Sequence, residues 1–310
     1  MDASDIPGGT TAPFVRSAWL QQGLDSRTMT GIEIGPWFSP VVPRADGWNT
    51  VVVDFSTSEE LRERARSHTS DVIRALGEKI EDVDVVWSGE SLVEDLLSRQ
   101  PQGYDFLVAS HVFEHLPDLI GFFRQLERII KPGGVVSLAM PDRRICFDYF
   151  KPLTMTDDLL AAHREGRTRH TPETIFQAEA YQGWLNGNAA WSRTDIPDVK
   201  PVSTLRAAYA QYLLDVASSQ LEHPPYVDAH VWIFVPANFS LVILELNVLG
   251  LIDFHVTRII DSPDWSEFLV QLEHGRLALD DDAVEAERAR LLHQMMKDQA
   301  GIPGLIAIGH

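Results

Sequence analysis

The sequence predicts an α/β fold: a doubly wound, seven-stranded sheet, mostly parallel, with an antiparallel C-terminal strand and a helical insertion as a lid. Three observations predict it. Short β-branched runs alternate with amphipathic stretches over residues 1–140, the pattern of βαβ units with helices on both faces of a parallel sheet. Residues 142–229 turn polar, aromatic and helical, with scattered Pro and Gly. Apolar runs return from residue 230 and end in a charged helix. The expected organisation is an N-terminal helical segment (1–29), a core (30–141), the insertion (142–229), a return to the core sheet (230–275) and a C-terminal helix with a tail (276–310).

GIEIG (31–35) and TVVVDF (50–55) read as short buried strands, because parallel strands covered on both faces are continuously apolar. Thr57, with Glu60 three residues on, is a capping-box signal for the helix SEELRERARSH. VDVVW (83–87) and YDFLVAS (104–110) are the third and fourth strands. Asp118 caps LIGFFRQLERII, whose apolar positions form one helical stripe. KPGG (131–134) stops that helix, and GVVSLAMP (134–141) is the fifth strand. PANFSLVILELNVLG is a helix, LIDFHVTRII and WSEFLVQL are the last two strands, and residues 280–298 form a terminal amphipathic helix, a solvated cap or the face of a homodimer.

At 310 residues, 45% hydrophobic and 23% charged, the chain has the composition of a globular protein. No apolar run approaches the ~20 residues of a membrane span, and the first residues lack the pattern of a secretory leader. The expected location is the cytoplasm, in keeping with one cysteine, Cys146, which also excludes a disulfide framework. A net charge of −19 argues against nucleic acid and anionic membrane as partners.

In a doubly wound sheet, ligands sit beyond the carboxyl ends of the strands. Gly35, Pro36 and Trp37 follow the first strand, and Asp54 closes the second, nineteen positions past Gly35. A dinucleotide pyrophosphate needs a glycine-rich bend with several close backbone N–H groups; here Trp37 and Ser39 stand where the later glycines would be. That argues for a ligand without phosphate. The segment YDFLVASHVFEHLPDLIGFFRQLERIIKPGGVVSLAMPD (104–142) resembles the fourth-to-fifth-strand region of class I S-adenosylmethionine-dependent methyltransferases, with S-x-V-x-E-H, a helix and K-P-G-G. The resemblance reaches back through Asp54 to Glu33 and extends loosely over 230–270. It implies a Rossmann-like core with S-adenosylmethionine as cofactor. Glu33, Gly35 and Pro36 would border its methionine moiety, Asp54 the ribose, Phe55 the adenine, with Trp87, Ser88 and Gly89 flanking the adenine and Ser110 and His111 facing the sulfonium. Plainer readings stand beside these: Glu33 capping backbone amides, Asp54 shaping a turn, Trp87 in the core.

Methyl transfer from a sulfonium is an in-line displacement, and an alcohol acceptor needs a general base within hydrogen-bond reach. His111, Asp142 and His230 are the candidate bases, with His163 and His170 further off in the insertion. Glu114 and His115 read equally as packing at the start of the next helix. No metal-ligand spacing is diagnostic; a divalent ion is compatible with Asp142, Asp148, Asp157 and Asp158 but not expected. His115, Arg144, Tyr149, Tyr181 and Trp184 are the candidate substrate contacts. Aromatic rings mixed with polar side chains suit a carbohydrate or a flat aromatic acceptor, and some must form the insertion's own core. MPDRRICFDYFKP also resembles methyltransferase-like proteins that accompany glycosyltransferases in polysaccharide pathways. The expected acceptor is therefore a hydroxyl of a mannose- or rhamnose-type oligosaccharide. A non-sugar natural product, or a binding protein that kept the fold without catalysis, are the alternatives.

Overall fold

The computed structural model describes residues 15–191, 199–261 and 266–300. Residues 1–14 of the expected N-terminal segment and 301–310 of the tail lie outside them. The seven-stranded sheet is built from β1 (Thr30–Ile34), β2 (Asn49–Asp54), β3 (Val85–Val86), β4 (Tyr104–Ser110), β5 (Ile130–Pro141), β8 (Phe254–Asp261) and β9 (Glu267–His274). Their spatial order is β3-β2-β1-β4-β5-β9-β8. The first five run parallel, and β9 is antiparallel to both β5 and β8. Strand order reverses between β1 and β4, so the crevice for a ligand opens beyond Ile34 and Ser110.

Both faces of the sheet are covered. Ile32, Ile34, Leu107 and Ala109 pack on one side with α5 (Leu119–Ile129) and α9 (Pro236–Val248). Phe106 and Val108 pack on the other with Leu20, at the end of α1 (Arg16–Leu20), and Val41 and Val42. Gly31 pairs with Phe106 across β1 and β4. A Cβ on Gly31 would lie 2.1 Å from the Phe106 ring, so only glycine leaves room for that ring at 0% exposure.

The caps form as their side chains dictate. Thr57 and Glu60 make a reciprocal capping box at α2 (Ser58–Arg66), and Asp118 accepts from Gly121 N at 2.9 Å to open α5. The third strand is shorter than its apolar run, pairing over only Val85 and Val86. Two short helices, α3 (Asp71–Leu76) and α4 (Val93–Arg99), complete the N-terminal half. The insertion carries α6 (Thr156–Glu165), α7 (Pro172–Ala180), a ribbon of β6 (Gly183–Trp184) with β7 (Lys200–Pro201), and α8 (Leu205–Ser219). Helix α9 is buried almost all round, and α10 (Asp281–Ala300) packs Leu291 and Met295 against its Leu241 and Leu244. Among the described residues, no helix is long and apolar enough to cross a membrane.

Candidate active site

Two groups of side chains meet at the carboxyl ends of the strands. The first lines the bend after β1. Gly35 N donates to Val53 O at 2.8 Å, which sets the bend directly beside Asp54. Gly35 has φ +66°, and a Cβ there would sit 3.1 Å from Val112 Cγ2; both conformation and space call for glycine. Trp37 does not fill the bend. Its indole turns onto the apolar cluster of Leu61, Ala65 and Ile80, and its Nε1 reaches Leu61 O at 3.5 Å.

Glu33 is 2% exposed. It accepts from Val41 N at 2.6 Å and Val42 N at 3.1 Å, so it anchors the loop that follows the bend. Burial pushes its carboxyl up to about 7 against the pull of those amides. This is the amide-capping role, the plainer of the two readings of Glu33. Asp54 is 2% exposed, accepts from Ser56 N at 3.2 Å, and is pushed up by burial. Phe55 stays exposed under the Arg64 guanidinium, 5.1 Å from the ring centroid. Trp87 lies against Phe122 at 5.3 Å and donates to Glu90 O at 2.7 Å, next to exposed Ser88 and Gly89. The Ser110 hydroxyl is buried without a hydrogen-bond partner.

The second group is a nest of histidines and carboxylates that begins directly after β4. His111 sits in the left-handed region at φ +54°. Its Nε2 donates to Glu267 Oε2 at 2.8 Å, and its Nδ1 lies 3.4 Å from Glu114 Oε1. Partial burial opposes charge on the ring, but Glu114 and Glu267 outweigh it and hold His111 up at about 9. Held there it carries a proton at neutral pH, which favours an ion-pairing role over that of a base. Asp142 is engaged as well. It is fully buried and held bidentately by Arg144 at 2.6–3.2 Å, and Arg144 also pairs with Asp261 at 2.9 Å, so neither is placed to meet a substrate. Tyr149 packs with Ile145, Leu185 and Trp191 inside the insertion, a core residue rather than an open contact. Tyr181 and Trp184 remain 43% and 40% exposed.

His230 and His115 behave differently. His230 Nδ1 donates to Asp148 Oδ2 at 2.7 Å, and Asp148 Oδ1 is paired with Lys151 Nζ at 2.7 Å. His115 Nδ1 donates to Asp228 Oδ1 at 2.8 Å; burial opposes its charge, but Asp228 holds it above the ordinary histidine value. The rings of His115 and His230 meet edge to face at 4.6 Å. Burial works to push Glu114 up, but the surrounding imidazoles, His111 foremost, hold it below the usual carboxylate range. Of the remaining histidines, His163 bonds to Asp118 at the start of α5, and burial pushes His170 down to about 4. Glu267, Arg16, Lys151 and Asp228 were not singled out from sequence; Arg16 and Glu267 meet each other and Asp228 meets His115 far along the chain, whereas Lys151 meets Asp148 only three residues away.

A family profile described as a methyltransferase domain matches residues 24–189, just over half of the chain. The chain belongs to the class I S-adenosylmethionine-dependent methyltransferases. A ubiquinone biosynthesis O-methyltransferase of Xanthomonas campestris pv. campestris (strain B100) is 28% identical over 111 residues, 36% of this methyltransferase. The match spans 42% of that relative's own length. Among solved structures, an S-adenosylmethionine-dependent methyltransferase from Mesorhizobium loti is 13% identical with a TM-score of 0.38, covering 83% of this chain and 97% of the other. The CcbJ methyltransferase from Streptomyces caelestis is 14% identical with a TM-score of 0.40, covering 84% and 94%.

The residues of the first group fit the cofactor that this family implies. A glycine bend, a buried carboxylate beside it, an exposed aromatic ring and an orphaned buried hydroxyl suit a phosphate-free nucleoside. Asp54→Ala is expected to weaken S-adenosylhomocysteine binding by about 1–3 kcal/mol, the cost of leaving sugar hydroxyls unpaired. Calorimetric titration checks this, and unchanged affinity removes Asp54 from the site.

The His111 charge has a consequence for stability. Its folded pKa of about 9 lies above the unfolded value of about 6.5. The stabilisation is therefore complete below pH 6.5 and is lost as pH rises through 9. Thermal melts of wild type and His111→Gln are expected to differ most below pH 6.5 and to converge above pH 9. A difference that stays constant with pH would show that His111 does not gain charge on folding.

Proposed function

We propose that this methyltransferase methylates a hydroxyl oxygen, with a sugar hydroxyl of the mannose or rhamnose type as the preferred acceptor. The observation that carries the reading is the histidine–carboxylate nest beside the donor bend. A thiol or amine acceptor needs little help, whereas a hydroxyl must lose a proton as it attacks. When bound, S-adenosylmethionine supplies a methyl group already activated on a sulfonium. The chain has to orient the hydroxyl in line with that group, exclude water and take up the proton. The new bond joins acceptor oxygen to methyl carbon, the carbon–sulfur bond breaks, and S-adenosylhomocysteine leaves.

His230 is the member of the nest suited to the proton. Asp148 holds its Nδ1–H, which leaves a lone pair on Nε2. The insertion supports a sugar. Gly183 N donates to Phe147 O at 2.8 Å, and the Phe147 ring lies 4.6 Å from His230. The ribbon bearing Trp184 is thus tied within one residue of the nest, with ring surface exposed for the C–H face of a sugar. The name of the Xanthomonas relative adds support for oxygen as nucleophile. S-adenosylhomocysteine release, measured with mannosides, rhamnosides, phenols, amines and thiols, tests the reading. Turnover of the glycosides is expected; turnover of phenols alone would keep oxygen and discard the sugar, and turnover of amines or thiols alone would sink both.

A further inference from the structure

We propose that Glu114, His115 and His230 form a binding site for one divalent first-row transition ion of the zinc, cobalt or manganese type. Glu114 is 0% exposed; His111 Nδ1 stands 3.4 Å from its Oε1, and its Oε2 has no hydrogen-bond partner. A buried anion left in that condition is costly. Around its Oε1 stand His115 Nε2 and His230 Nε2, each at 3.8 Å. All three donor atoms lie within 4.8 Å of one another. Two ligands on a shared ion, each about 2.0–2.2 Å from it, sit about 3–3.5 Å apart, so the two Glu114–histidine distances need to close by only a few tenths of an ångström and the two imidazoles by about an ångström at most.

The surroundings prepare the imidazoles for that task. Each uses Nδ1–H on a carboxylate, His115 on Asp228 at 2.8 Å and His230 on Asp148 at 2.7 Å. This arrangement fixes each ring and leaves Nε2 as the nitrogen a metal would take, displacing any proton there, and such carboxylate–histidine pairs are the usual support of a bound ion. Asp148 is itself held by Lys151. Two imidazoles with one carboxylate suit borderline ions; an all-oxygen set would favour magnesium or calcium. The site is closed below by Glu114 and opens at His115, whose side chain is 26% exposed. Three protein ligands leave positions for an outside oxygen. The ion's use in acidifying an acceptor hydroxyl rests on the oxygen-acceptor reading above, whereas its binding does not.

The test is a Co²⁺ titration of EDTA-treated protein, read by visible absorption, with Zn²⁺ followed by calorimetry. Wild type is expected to bind one equivalent. His115→Gln and His230→Gln are expected to abolish the visible bands or weaken binding about 100-fold or more, and Asp148→Asn to weaken it about 10–100-fold. S-adenosylhomocysteine affinity, measured on the same samples, shows that each variant is folded. Absence of Co²⁺ and Zn²⁺ binding at millimolar concentration in wild type that still binds S-adenosylhomocysteine would overturn the proposal. So would binding that is equal in wild type and both histidine variants. Ion binding without methylation of any hydroxyl would keep the site and discard the acceptor reading instead.

Discussion

Replacing His230 by Gln is expected to lower kcat by about 10²–10⁴ while leaving S-adenosylhomocysteine affinity unchanged. His230 is 9% exposed and stands where the chain re-enters the core, between Ala229 and the buried Trp232. Trp232 Nε1 donates to Leu116 O at 2.6 Å, and Val231 N donates to Glu114 O at 2.8 Å. The chain is therefore pinned immediately after the ring's exit point. A glutamine keeps a polar group of similar reach but has no basic nitrogen. Whether Nε2 takes the hydroxyl proton or holds an ion that acidifies it, the lone pair is what the reaction uses. Asp148→Asn should show the same loss by a different route. The asparagine amide can donate to Nδ1, which moves the ring proton to Nε2 and blocks the lone pair; the same exchange in a serine-protease triad costs about 10⁴. Steady-state kinetics with the best acceptor, alongside calorimetry, decides the matter. A loss of tenfold or less in both variants would remove His230 from the chemistry.

These residues also show how far the sequence could be read. The capping box at Thr57 and Glu60 and the Asp118 cap were legible because their partners lie three residues apart. The strand–helix alternation was legible because burial on both faces leaves continuous apolar runs. The bend at Gly35 was legible because a lone glycine follows the first apolar strand, where the chain turns at φ +66°. The roles inside the nest were not. His111 meets Glu267 across 156 positions, and His230 meets Asp148 across 82. Those pairings decide how each imidazole is oriented and which nitrogen it turns into the nest. Asp142 follows the fifth strand as a catalytic carboxylate would, yet Arg144, two residues on, folds back and neutralises it. Glu114 illustrates the same limit. The E-H pair is visible in the sequence, but the third donor arrives only after the insertion of almost ninety residues, by way of the β-bridge between Asp142 and Phe234 that brings the two ends of that segment together.

Lys151→Met is expected to destabilise the protein by about 3–5 kcal/mol, the usual result of removing one partner from a buried ion pair. Lys151 is 1% exposed and Asp148 2%, with Nζ 2.7 Å from Oδ1. The ammonium also lies 5.8 Å from the Phe147 ring centroid and 3.5 Å from His230 O. Burial alone would push Asp148 up; His230 and Lys151 reverse that and hold it below the ordinary carboxylate value. A depressed folded pKa contributes stability above the unfolded value, about 3.9, that is lost as pH falls through the folded one. Without Lys151 the folded pKa of Asp148 rises, so the variant's deficit should be largest at neutral pH and shrink as pH drops toward 4. Lys151→Met combined with Asp148→Asn should recover part of the loss, because the stranded charge is gone, while activity stays low because the His230 tautomer is no longer set. Urea denaturation across pH, with activity measured in parallel, separates the two effects. A deficit below 1 kcal/mol, or one independent of pH, would mean that Asp148 is charged without help from Lys151 and that its hold on His230 needs no buried cation.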